Sequence, residues 1–247
     1  MYSLEEVTES LKRDRDNMIE VLRQRDEGIE DNTTFTQLVS VVEANIGKYK
    51  PRFVCFRGFT GTELDYELNN IDTSLVTSMS NMFDSCRNLI SIPQLDTRNV
   101  TSMNSMFNDC RVLQSIPQLD TSKVTNMSYI FRSCQNLQSI QQLDTSNVQY
   151  IGDAFTTCNS LINLGGFKDL GKAYSTTSGA NNSIYTLSLS NSSLLTHESA
   201  MNVINNLYDI ATKGCKVQQV RFHANVIALL TEEEIAIATN KGWSVTA

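Results

Sequence analysis

The residues of this 247-residue chain whose types could do chemistry are six cysteines, two histidines and a column of aspartates. Cys86, Cys110, Cys134 and Cys158 recur at one constant interval, with Cys55 and Cys215 outside the series. Thiolate metal centres usually use close pairs such as C-x-x-C, and none occurs. The series reads as a column of buried thiols, with disulfides or metal as the alternatives. His197 and His223 have no metal-ligand spacing between them and read as structural or surface residues. No G-x-S-x-G, G-x-x-x-x-G-K-[ST] or G-x-G-x-x-G motif is present. The expectation is a protein that is not an enzyme, with no catalytic residues, no metal and no cofactor.

The aspartates Asp72, Asp96, Asp120 and Asp144 share the period, each followed by threonine. Asp-Thr-Ser is turn and cap chemistry, in which side-chain oxygens accept nearby backbone N–H groups. A calcium ladder is the alternative. Calcium takes several oxygen ligands per ion, whereas each repeat offers one carboxylate in this column.

Aligned on these aspartates, the elements that must position such groups fall into columns without a gap. Val76, Val100, Val124 and Val148 form one column, and Phe83, Phe107, Phe131 and Phe155 another. Leu89, Leu113, Leu137 and Leu161 form a third. A period in the twenties marks a solenoid, in which one coil cannot bury its apolar column alone and stacking builds a continuous core. Within a coil, the spacing of Val100, Met103, Met106 and Phe107 predicts a helical or 3₁₀ turn. The segment LQSIPQL is too short for a helix and suits a strand. Strands of successive coils should pair in parallel at roughly 4.8 Å. The fold class expected is therefore α/β, a solenoid of short parallel strands and helical turns.

The flanks divide the chain further. Residues 72–167 hold the four repeats, and 50–71, with the alternating run RFVCF, read as the N-terminal cap of the stack. Residues 168–247 read as larger strand–helix units, with IYTLSLS, VQQVRFH and WSVT as strands. One helix should be capped by Thr196, with Met201, Ile204, Leu207 and Ala211 on one face. The other has Thr231 and Glu234 spaced as a capping box and Gly242 as its stop. Trp243 reads as terminal core packing or, alternatively, a ligand platform. Residues 1–49 are charged and helical, with an apolar stripe at Leu4, Val7, Leu11, Met18 and Val21. A second short helix there carries Phe35, Leu38, Val42 and Ile46 on one face. This segment reads as a docking or oligomerisation module, or as a helical hairpin packed on its own stack.

The repeat line, LDTSNV…MS.MF..C..L.SI..LDTS, resembles the leucine-rich repeats of the BspA-like bacterial surface-protein class. That resemblance implies a binding or adhesion protein. The C-terminal ALLTEEEIAIATNKGWSV resembles the ends of leucine-rich-repeat proteins encoded by tailed phages and prophages. The N-terminal helices resemble docking segments of phage tail and fibre proteins. Together these resemblances imply a virion component assembled in the bacterial cytoplasm: a fibre, head-fibre or tail protein. Its partners would be other virion proteins and copies of itself, a trimer by analogy with fibres, and a host surface glycan or protein. The alternative is a bacterial cell-surface adhesin for host glycan or matrix.

Composition narrows the partners. A net charge of −7 disfavours nucleic acid, because a phosphate backbone needs a basic face. No run of about 18 apolar residues predicts membrane insertion. The N-terminus lacks the basic and apolar regions of a secretory signal, so a cytosolic origin is expected. The candidate binding surface is the strand-face ladder: Ser91, Ser115, Ser139 and Asn163, with Gln94, Gln118 and Gln142 beside it. Such an uncharged polar row suits hydrogen bonding to glycan or protein, and equally suits a merely solvated face.

Overall fold

The computed structural model describes residues 73–173, 185–213 and 215–247. Its first part is a pile of coils in which each residue lies beside its equivalent in the next repeat. Parallel bridges join Ser78 to Ser102, Ser102 to Asn126, and Asn126 to Tyr150. The strand expected at LQSIPQL does not form: that segment contributes only a bridge from Ser115 to Ser139, and this second ladder becomes a strand pair only in the later coils, as β1 (Ser139–Ile140) with β3 (Asn163–Leu164). A third pairs β2 (Leu143–Asp144) with β4 (Phe167–Lys168). All are parallel, and the partners are one repeat apart throughout, so register follows sequence period.

The helical turn expected at Val100, Met103, Met106 and Phe107 does not form. Ser105 and Asp109 have φ of 54° and 59°, a left-handed conformation that breaks a right-handed helix. The same two columns have positive φ in every coil: Asn81, Tyr129 and Asp153 in one, Ser85, Ser133 and Thr157 in the other. The segment is instead a train of tight turns. The N–H groups of Met103, Ser105, Phe107 and Asp109 reach carbonyls of the next coil at 2.8–2.9 Å. Those of Met106, Asn108 and Cys110 close turns within the coil, onto the carbonyls of Met103, Ser105 and Phe107, at 3.2 Å. Every second amide therefore holds the stack, and the amides between them hold the coil. The apolar columns misled because turns that place every third or fourth residue inward mimic helical spacing.

The interior is a continuous column structure. Phe83, Phe107 and Phe131 stack with centroids 5.3 and 5.6 Å apart and planes within 11° and 5°. Phe155 tilts by 35° against Phe131, and Phe167 meets Phe155 edge-on. The valine, methionine and leucine columns are equally buried.

Beyond Phe167 the coils lengthen. Ser192 occupies the place of the cysteine and Leu195 that of the following leucine, since their turn bonds repeat those of Cys158 and Leu161. The parallel sheet β5 (Thr186–Leu189), β6 (Gln218–Phe222) and β7 (Trp243–Thr246) has that spatial order. Helix α1 (His197–Asn205) starts at Thr196, whose side chain accepts from Ser199 N. It covers the open edge of β3: Leu164 N donates to Ser199 Oγ, and Asn202 Nδ2 donates to the Leu164 carbonyl. This helix ends before Leu207 and Ala211, so neither belongs to its apolar face. Ser199, Ala200, Val203 and Ile204 are its buried residues, while Ala211 is exposed. Gly166 lets the helix approach, because a Cβ there would lie 2.6 Å from the Asn202 carbonyl oxygen and its φ is +90°. A one-turn helix, α2 (Ala224–Ile227), precedes α3 (Glu232–Asn240). α3 has the full Thr231/Glu234 capping box, and Gly242, at φ +85°, follows it. Trp243 is core: it is buried, donates Nε1–H to the Tyr208 carbonyl at 2.9 Å and meets Tyr185 edge-on.

Candidate functional site

The cysteine column is built into the backbone of the stack. Cys110, Cys134 and Cys158 are buried, and each thiol donates at 3.0 Å to the carbonyl of the phenylalanine in the preceding coil. Burial pushes the Cys158 thiol up to about 12, and also raises Cys110 and Cys134, where the neighbouring cysteines add to the effect. A thiol held protonated is a poor nucleophile. Alkylation of the native protein in mildly alkaline buffer should therefore modify Cys215 and leave Cys110, Cys134 and Cys158 unmodified until denaturant is added. Intact mass and peptide mapping read the result, and equal labelling of all four would contradict the burial of the column.

The aspartate column makes turns. Asp120 Oδ1 accepts from Ser122 N and Oγ at 3.0 and 2.7 Å, and Asp144 treats Ser146 in the same way. Asp96 accepts from Arg98 N at 3.2 Å and forms a two-pronged pair with the Arg98 guanidinium. The threonines after them do a second job. Thr121 Oγ1 donates to the Asp144 carbonyl at 3.0 Å and accepts from Asp144 N at 2.8 Å, which clips one coil to the next. Thr73 clips Asp96 likewise. These threonines are buried, and leaving such backbone groups unpaired would cost about 1–3 kcal/mol each.

Above this column lies an open groove of about 520 Å³ lined by Gln94, Gln118, Gln142, Asp96, Asp120, Asp144, Arg98, Ser122 and Lys168, among others. It crosses successive coils along the stack. The sequence-derived ladder divides here. Gln94, Gln118 and Gln142 line the groove, whereas Ser115, Ser139 and Asn163 lie in the separate ladder around β1 and β3, with Ser91 in the equivalent position of the first coil. The glutamine amides are partly committed: Gln94 Nε2 donates to the Gln118 carbonyl at 2.7 Å, and Gln118 Nε2 to that of Gln142 at 3.0 Å.

Charge in the groove is uneven. The Arg98 hydrogen bond lowers the Asp96 carboxyl. At Asp144, burial alone would raise the carboxyl, but hydrogen bonds from Lys168 and Ser146 outweigh it and leave it lowered. Asp120, between them, is lowered by its Ser122 hydrogen bonds, with a weaker attraction from Lys123, and has no ion-pair partner among the described residues. All three are anionic at neutral pH, and Asp120 is the one whose charge a partner could meet.

Sequence reasoning found the glutamines but missed Asp120, Arg98 and Lys168 as their neighbours. The signal was the Gln-Leu-Asp triplet at 94–96, 118–120 and 142–144. In an extended segment, residues i and i+2 share a face, so glutamine and aspartate project together while leucine turns inward. The docking stripe of Leu4, Val7, Leu11, Met18, Val21, Phe35, Leu38, Val42 and Ile46 lies outside the described residues, as does the 50–71 cap. No helix among the described residues is long and apolar enough to cross a membrane. No curated protein and no solved structure matches the chain. Residues 54–165 match the model of a family described as Mycoplasma protein of unknown function, DUF285, so the coil region is similar to that BspA-like repeat family.

Proposed function

We propose that the protein is a non-enzymatic recognition module: a leucine-rich-repeat solenoid that holds a partner polypeptide in extended form along the Gln-Leu-Asp groove. The observation that carries this reading is the groove itself, which presents the same glutamine and aspartate once per repeat across the coils. A row of polar groups in parallel register suits a chain lying along the stack, with Asp120 pairing a lysine or arginine of the partner. The interior supports the same reading, because its cysteines, threonines and aromatics are spent on holding coils together. A narrower form of the proposal sets the module on a virion, as a fibre, head-fibre or tail component. It rests on the resemblance of the two terminal segments to phage proteins.

Selection of a random displayed peptide library against the protein tests the groove. Enriched peptides should carry a basic residue and should bind Asp120→Asn roughly tenfold more weakly than wild type, a loss of about 1.4 kcal/mol. Asparagine keeps the turn oxygen, so the stack should be unaffected. Failure to enrich any peptide, or equal affinity for the variant, would remove the groove from the account.

A further inference from the structure

On the face made by the turn train, the third and fourth coils depart from the first two. The outward column Ser78, Ser102, Asn126 ends in Tyr150, which is 59 % exposed. The column Asn81, Ser105 is followed by Tyr129, 36 % exposed. Hydrogen bonds from Met127 N to the Tyr150 carbonyl (2.7 Å) and from Tyr129 N to the Gly152 carbonyl (2.9 Å) place these two stretches side by side. The two stretches are one strand spacing apart, roughly 5 Å, with Tyr150 beside Asn126 and Tyr129 three residues further along, level with Asp153. The position between them is Gly152, where Ser80, Asn104 and Ser128 stand in the other coils. A Cβ built at Gly152 meets nothing within 4 Å, so the spot is open. The Arg132 guanidinium lies 5.5 Å from the Tyr129 ring centroid and makes no ion pair among the described residues. Asn126 Oδ1 accepts from Ser128 N at 2.9 Å, which leaves its Nδ2 to donate outward.

We propose that Tyr129, Tyr150 and the Gly152 notch form a platform for a neutral saccharide. A pyranose presents an apolar face of C–H groups that packs on an aromatic ring, and a rim of hydroxyls. Here the Arg132 guanidinium lies over one face of the Tyr129 ring, which leaves the opposite face and the Tyr150 ring for the C–H groups, and nearby hydroxyl and amide groups can meet the hydroxyl rim. The alternatives fit less well. A protein partner needs an interface of about 800 Å² per side with an apolar centre, and these two rings stand in a polar field. A nucleic acid would stack its bases equally well, but a chain of net charge −7 repels its phosphates. This inference extends the recognition reading to a second face and a second ligand class.

Saturation-transfer NMR and calorimetry with maltohexaose, cellohexaose and chitohexaose are the test. At least one hexasaccharide should bind, with transfer to its ring C–H protons. Tyr150→Ala and Gly152→Gln should each weaken that binding at least tenfold while leaving the unfolding midpoint unchanged, since Tyr150 is exposed and the notch is open. Asp120→Asn should leave sugar binding intact, and Tyr150→Ala should leave groove peptides bound, so the two sites fail separately. Absence of binding by all three saccharides, or binding indifferent to both platform variants, would overturn the proposal.

Discussion

Truncating Phe131 to alanine is expected to destabilise the protein by about 3–5 kcal/mol, the range for deleting a buried phenylalanine. The ring is fully buried between those of Phe107 and Phe155, each 5.6 Å away, so its loss leaves a cavity with coils on both sides. Relaxation is limited. The backbone around Phe131 is tied to the following coil, through its N–H to the Ala154 carbonyl and its carbonyl to the Cys158 thiol. The adjacent Arg132→Ala removes an exposed side chain whose one described contact is with Tyr129, and surface changes of that kind stay within about 0.5 kcal/mol. Urea unfolding of the two variants provides the comparison. Equal midpoints would mean that the phenylalanine column does not hold the stack.

How much of this was legible beforehand differs by column. The phenylalanine, valine and leucine columns announced their burial because an apolar residue at one phase of a strict period has no other use. The Thr231/Glu234 capping box and the Gly242 stop were legible because caps are local chemistry. The turn train was not. Its left-handed residues include Ser, Tyr and Thr as well as the more permissive Asn and Asp, and no glycine marks them, so the positive φ was not signalled in every coil. The inter-coil bonds that maintain that conformation also lie about one coil away in sequence. The threonine clip was hidden for a related reason: Thr121 looks like half of a local cap until the next coil's Asp144 is placed beside it. The end of α1 was overrun because the apolar spacing continues through Leu207, which instead pairs with Leu170. At the candidate groove, the glutamines stood out as a row, but their juxtaposition with Asp120 and Lys168 needed the third ladder.

The central claim is that each repeat is an interchangeable layer, so that any surface feature is held by the stack and not by a unique core. Deleting Thr97–Asp120 removes one full repeat and joins Asp96 to Thr121, the same point one repeat later. Every column is then restored: Phe83 meets Phe131, Leu89 meets Leu137, and the Thr73 clip still finds Asp96. Deleting Thr97–Asn108 removes only half a repeat and puts polar turn positions opposite the apolar columns. In a stack whose stability is close to a sum over layers and their interfaces, the first deletion should give a folded protein with one cooperative unfolding transition at a lower midpoint. The second should show no cooperative transition. Thermal unfolding followed by circular dichroism measures both. A cooperative transition for the full-repeat deletion alone is the result expected; loss of folding in both, or its survival in both, would contradict the layered account.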